Sequence, residues 1–122
     1  ERPADLRLPR RRLVARAGFE PVVFDNVSRP RVLRNLSYLR EDLKLDVTVA
    51  DVRDTSAVNR FFAAHTDADV VVHLAGQVSF MSSLADPRSD FEINALGTLN
   101  VVDAVVRHAP QARLVFSSRL QN

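Results

Sequence analysis

Four groups of small or polar residues stand directly after short apolar runs, and these are the places where this chain could do chemistry. Asp25-Asn26 follows Val22-Val23-Phe24, and Asp51-Val52 follows Leu45 to Ala50. Ala75-Gly76-Gln77 closes the run that holds Val70-Val71-Val72, and Ser117-Ser118 follows Arg113 to Phe116. Short apolar runs that end in polar turns read as buried strands. In an open parallel sheet, ligands bind beyond the carboxyl ends of the strands. Small and acidic groups at such ends suit a nucleotide cofactor. An acid at Asp25 could accept hydrogen bonds from the adenosine ribose hydroxyls. It would repel a 2′-phosphate, which favours NAD over NADP. The same Asp-Asn pair also makes an ordinary strand-end turn. Asp51 could accept from the adenine amino group or cap the helix that follows, and both readings stay open. Ala75-Gly76 leaves space for a cofactor to pass close to the backbone, or serves as a plain turn.

Other reactive groups are few. His73 lies within an apolar run and reads as a packed core histidine. His65 and His108 fall near helix ends, where a cation is favourable. No His or carboxylate spacing suggests a metal site, and the absence of cysteine removes disulfides and thiolate ligands. Hydrophobic residues make up 46% and charged residues 26% of the 122, an ordinary globular balance, with a formal net charge of +2. No apolar run approaches the roughly 20 residues of a membrane-spanning helix, and the N-terminus lacks the apolar segment of a signal peptide. A cytoplasmic location is the default expectation. Arg7, Arg10, Arg11, Arg12 and Arg16 cluster near the start. They read as the solvated face of a first helix, with a nucleic-acid role as the minor alternative.

The elements that must position these groups follow from periodicity. A short helix is expected over 9–17, with Pro9 in its first turn and Gly18 past its end. A second is expected over 30–42, with Val32, Leu33, Leu36, Leu39 and Leu43 at helical spacing. Thr55 or Ser56 is expected to cap a third helix running to His65, with Val58, Phe61 and Phe62 inward. A long helix runs from near Pro87 to about His108, with Phe91, Ala95, Leu99, Val102 and Val106 as one apolar stripe. Strands alternating with helices imply parallel βαβ units, with the strands apolar on both faces, in one domain without an internal boundary.

Taken together, Val71-Val72-His73-Leu74-Ala75-Gly76-Gln77-Val78, Asp86-Pro87-Arg88 and Asp90-Phe91-Glu92-Ile93-Asn94 resemble the extended short-chain dehydrogenase/reductases, the NAD-dependent epimerases and dehydratases. Asn94 with Gly97-Thr98-Leu99-Asn100 is similar to that family's N-x-x-G-T-x-N helix. Phe24-Asp25-Asn26-Val27-Ser28-Arg29 resembles its second-strand motif, and Ala50-Asp51-Val52-Arg53-Asp54 its third-strand motif. His-Leu-Ala-Gly-Gln-Val and Asp-Phe-Glu-Ile-Asn look most like the CDP-paratose 2-epimerase branch. The resemblance implies a Rossmann-like doubly wound parallel sheet in three α/β/α layers. It implies adenosine contacts at Asp25, Asn26, Asp51 and Val52, and contacts along NAD at Leu74, Ala75, Gly76 and Gln77. Asn94 would stand near the site, with Ser117 and Ser118 near the nicotinamide. Intact relatives act on nucleotide sugars, and the helix near 87–108 resembles one that pairs subunits in a homodimer.

The chain also departs from the family. Its three glycines, Gly18, Gly76 and Gly97, do not form the loop T-G-x-x-G-x-x-G that follows the family's first strand. That strand is therefore expected to be missing, which leaves a partial sheet. The catalytic Tyr-x-x-x-Lys is absent: Tyr38 is the only tyrosine, Glu41 and Asp42 follow it, and Lys44 lacks the spacing. Arg119 replaces the third hydroxyl expected after Ser118. The expectation is a truncated epimerase/dehydratase domain that is inactive alone. The alternative is a non-catalytic Rossmann module that binds a nucleotide or pairs with a related subunit.

Overall fold

The computed structural model describes residues 18–27, 36–76 and 80–117. Two compact units, Glu1–Val49 and Ala50–Asn122, are each considered by themselves. The helix expected over 9–17 and the arginine cluster lie outside the described residues. Gly18 has φ +87°, the conformation expected just past a helix end.

In the first unit, β1 (Val22–Asp25) and β2 (Asp46–Val49) pair in parallel, with Val23 opposite Val47. The chain reaches β2 through α1 (Tyr38–Asp42), a π-helical turn closed by the Leu43 amide donating to the Tyr38 carbonyl. Leu39, only 2% exposed, packs with Val23 and Val47, and Leu36, Leu43 and Leu45 flank this core. The helical spacing of Leu36, Leu39 and Leu43 therefore places them together as expected; residues 28–35 lie outside the described region. Arg40 donates to the Val47 carbonyl at 2.9 Å and ties α1 to β2.

In the second unit, β3 (Val70–His73) and β4 (Arg113–Phe116) pair in parallel, with Val70 opposite Arg113 and His73 opposite Phe116. Among the described residues the four strands form two separate two-stranded sheets. α2 (Thr55–Ala64) is capped by Asp54, whose carboxylate accepts from the Ala57 amide at 3.1 Å. This corrects the expected cap at Thr55 or Ser56. Asp54 is the last residue with extended backbone, so its side chain reaches the orphan amide three residues on; Thr55 and Ser56 are already helical. Val58 and Phe62 are buried as expected.

The long helical stretch is present but not uniform. α3 (Phe80–Ala85) precedes α4 (Pro87–Phe91), which Asp86 caps by accepting from the Ser89 amide at 3.0 Å. A π-helical segment, Glu92–Leu96, then joins α4 to α5 (Gly97–His108). Its extra residue is seen in the Gly97 amide donating to the Glu92 carbonyl, five residues back. Ala109 ends α5 just before Pro110.

The buried face of this stretch differs from the expected one. Gly97, Val101, Ala104 and Val105 are buried, and α5 packs on α2. Phe91, Leu99 and Val106 are about three-fifths exposed, and Ala95 and Val102 are exposed as well. Gly97 and Ala104 are small enough for helices to approach closely, whereas the larger side chains form a second apolar stripe turned to solvent. The strands carry a similar correction. His73 is buried on the side where α5 lies, but Val70 and Val72, which point the other way, are 46% and 55% exposed. No described element covers that face, so β3 is not buried on both sides.

Candidate functional site

At the carboxyl end of β1, Asp25 turns its own chain: Oδ1 accepts the Val27 amide at 2.9 Å. Val27 sits at φ 47°, an unusual backbone for a β-branched residue, so this turn is strained. Asn26, between them, is exposed. The strand-end turn weighed for Asp25 is therefore present. After β2 the pattern recurs, as Asp51 Oδ1 accepts the Arg53 amide at 2.9 Å. Asp51 does not cap α2, since Asp54 holds that position. Each carboxylate is thus fixed by a local turn at the end of its strand.

Arg53 adds a second hold on Asp51. Its Nε donates to Oδ1 at 3.0 Å and Nη2 to Oδ2 at 2.7 Å, a two-pronged ion pair. The hydrogen bond to Asp51 is the main cause that raises the Arg53 pKa. Desolvation opposes it, and the charges of Asp51, Glu92 and Asp86 reinforce it. Val52, expected as a cofactor contact, is 8% exposed. It faces α5: a Cβ added at Gly97 would stand 2.7 Å from Val52 Cγ2.

At the end of β3, Leu74, Ala75 and Gly76 are half-buried. A Cβ built on Gly76 would meet Asn94 Oδ1 at 3.0 Å. On that side the space beside Gly76 is taken by Asn94, not left open for a ligand. Asn94 Nδ2 donates to Asp90 Oδ1 at 2.9 Å, and the Thr98 hydroxyl donates to the Asn94 carbonyl at 2.6 Å. Thr98 in turn meets His73 Nε2 at 3.0 Å. His73 is 5% exposed and stacks on Phe116 with ring centres 5.7 Å apart. Burial lowers its pKa from the ordinary imidazole value. It is the packed core histidine that the sequence suggests. Ser117 is exposed, and its amide donates to the His73 carbonyl at 3.4 Å. Gln77 and Ser118 lie outside the described residues.

A cleft of about 270 Å³ is lined by Arg53, Thr55, Glu92, Leu96 and Asn100. Its polar groups are paired within the chain. Glu92 accepts from Arg88 at 2.9 Å, and Asn100 donates to the Val52 carbonyl at 2.9 Å. Among the described residues no group of His or carboxylate side chains could hold a metal ion, and no helix is long and apolar enough to cross a membrane.

These strand ends, and the N-x-x-G-T-x-N helix facing one of them, are matched in known proteins. The model of the NAD dependent epimerase/dehydratase family matches residues 11–119. The chain belongs to this family. CDP-paratose 2-epimerase from Salmonella typhi is 36% identical over 101 residues, which is 83% of this chain and 30% of the relative. UDP-glucose 4-epimerase from Yersinia pestis is 33% identical over 104 residues, 84% of this chain and 30% of that enzyme. Among solved structures, the UDP-glucose 4-epimerase of Thermus thermophilus, in complex with NAD, superposes with a TM-score of 0.72 at 29% identity. The match covers 88% of this chain and 32% of that one. The chain thus spans about 30% of the length of the curated relatives it matches. The fold of this epimerase/dehydratase segment is α/β with parallel strands, a partial Rossmann-like fold. Sequence reasoning missed Arg53, Asp90 and Thr98. The available signals were Asp51 and Arg53 flanking one residue, and polar residues four apart at Asp90, Asn94 and Thr98 on one helical face.

Proposed function

We propose that this chain is one incomplete NAD-binding domain of a cytoplasmic nucleotide-sugar epimerase, serving the adenosine end of the cofactor, and that it does not epimerise by itself. The observation that supports this best is the pair of like-built strand ends. Asp25 and Asp51 are carboxylates fixed by their own turns, each at the carboxyl end of a parallel strand. Asp25, with Asn26 beside it, would accept from ribose hydroxyls, and Asp51 from the adenine amino group. Leu74, Ala75, Gly76, Gln77, Asn94, Ser117 and Ser118 are the further residues proposed to lie along NAD. The residues present fit adenosine and not the pyrophosphate, because no glycine-rich loop supplies backbone amides for it. Bound NAD would supply the hydride acceptor.

The chain's own residues offer no acid–base pair for a sugar hydroxyl. Tyr38 lies in α1 with Arg40, Glu41 and Asp42 after it and no lysine in place. A positioned proton-transfer group contributes roughly 10²–10⁴-fold to rate. The substrate class we propose, a nucleoside-diphosphate sugar, is that of the CDP- and UDP-sugar epimerases the chain resembles. We also propose pairing of two copies through the exposed stripe of α4 and α5. A second reading, a non-catalytic nucleotide-binding module, is favoured by Asn94 filling the side of Gly76.

Calorimetry with NAD and an epimerisation assay with CDP- and UDP-sugars test the proposal. We expect no turnover. Loss of two or three charge-assisted bonds to the pyrophosphate, each worth roughly 1.5–3 kcal/mol, should hold the NAD dissociation constant well above about 10 μM. Asp25→Ala should abolish any residual binding. A constant at or below about 10 μM, or turnover of a sugar nucleotide, overturns it.

A further inference from the structure

Arg53 has no part in the cofactor contacts proposed for this family segment, yet it makes three hydrogen bonds to Asp51: one from its amide, one from Nε and one from Nη2. A carboxylate has about four lone-pair directions. The amide bond fixes where Oδ1 lies. The planar fork fixes the rotation of the whole group, since Nε and Nη2 reach different oxygens. Arg53 is itself held beside a buried residue, because Val52 is locked between strand end and helix at Gly97. The acceptor face of Asp51 is therefore set before any ligand arrives, and such preorganisation is what turns a polar contact into selectivity.

The chemistry read by that face is specific. A 6-amino purine offers N–H donors to a carboxylate. A 6-oxo purine offers a carbonyl oxygen, whose lone pairs oppose the negative charge. A carboxylate free to rotate into solvent would avoid that repulsion and forfeit the bond, so both purines would bind alike. We propose that Arg53 is a positioning residue that makes Asp51 selective for 6-amino over 6-oxo purines. The proposal rests on the reading that Asp51 meets the adenine of a nucleotide.

The test uses the full ¹⁵N-labelled chain, titrated with AMP and with IMP by amide spectra, with the Arg53 Nε–H resonance followed alongside. Mononucleotides avoid the missing pyrophosphate cradle. The expected result is AMP binding at least about tenfold tighter than IMP, from one charge-assisted bond gained against one repulsion. The Arg53 Nε–H signal should persist in the AMP complex. Arg53→Ala and Arg53→Lys should both bring the AMP to IMP ratio towards one with unchanged circular dichroism, because lysine keeps the charge but not the fork. Asp51→Asn should do the same, as an amide both donates and accepts. A ratio unchanged in Arg53→Ala overturns the role of Arg53 and leaves the adenine reading standing. Loss of the Nε–H signal on adding AMP shows displacement, which makes Arg53 a competitor and overturns positioning. No response at Val52 and Arg53 to millimolar AMP overturns the adenine reading and this proposal together.

Discussion

Thr98 has one hydroxyl hydrogen, and at 2.6 Å from the Asn94 carbonyl it is committed there. Thr98 must then accept from His73, so the imidazole carries its proton on Nε2 and leaves Nδ1 unprotonated. A two-bond ¹⁵N–¹H correlation should show that tautomer. Burial in surroundings of Phe116 and α5, 5% exposed, favours the neutral ring and lowers its pKa. The sign for stability follows. Above about pH 6.5 the ring is neutral folded and unfolded, and its contribution is fully present. As pH falls below that value the unfolded chain takes up the proton first, so stability drops until the folded pKa is passed. Urea melts between pH 7 and 5 should show this loss, and His73→Gln, which keeps a donor for Thr98, should remove it. A His73→Gln variant with the same pH slope would refute the assignment. The sequence reveals His73 as a core residue because three valines precede it. It does not reveal Thr98 as the partner, since that pairing needs the packing of α5 on the end of β3.

At the scale of elements, the strands and helices are legible because apolar runs alternate with helical spacings and polar turns mark their ends. The π-helical segment is not legible. Glu92-Ile93-Asn94-Ala95-Leu96 continues the helical pattern, and only the bond from Gly97 back to Glu92 shows the added residue. The buried face escapes the sequence for a related reason. α5 is apolar on two sides, and periodicity cannot say which of them meets α2. The decisive residue is Gly97, where an added Cβ would come within 2.7 Å of Val52 Cγ2 and 3.2 Å of Val52 Cβ. Alanine normally stabilises a helix over glycine by roughly 0.5–1 kcal/mol. Overpacking against a buried, branched neighbour costs about 1–3 kcal/mol. Gly97→Ala should therefore destabilise the chain by about 1 kcal/mol net, read as a lower midpoint in denaturant. Val52→Ala in the same chain should recover part of that loss, a coupling a double-mutant cycle would measure. A stabilising Gly97→Ala would mean that α5 does not lie this close to the end of β2.

At the scale of the whole molecule, the exposed stripe sets what the chain does in concentrated solution. Phe91, Leu99 and Val106 are 58%, 61% and 65% exposed, with Val102 at 37%, all on one side of α4 and α5. The flanking charges are paired along the helix, Arg107 to Asp103 at 3.2 Å and Arg88 to Glu92 at 2.9 Å. An apolar contact there would not strand an unpaired charge. Fully burying a valine, leucine or phenylalanine side chain contributes about 1.5–3 kcal/mol. These side chains are already part-buried, and association costs about 4–15 kcal/mol in lost freedom. One helix face from each copy thus supports a weak, self-complementary pair and not an obligate dimer. Sedimentation should show a monomer–dimer equilibrium that shifts with protein concentration. Leu99→Asp with Val106→Asp should leave only monomer, with melting midpoint and circular dichroism preserved, because neither side chain contributes to the packing on α2. A chain that stays monomeric at the highest attainable concentration rules this pairing out. A dimer that survives the double aspartate variant places the interface elsewhere.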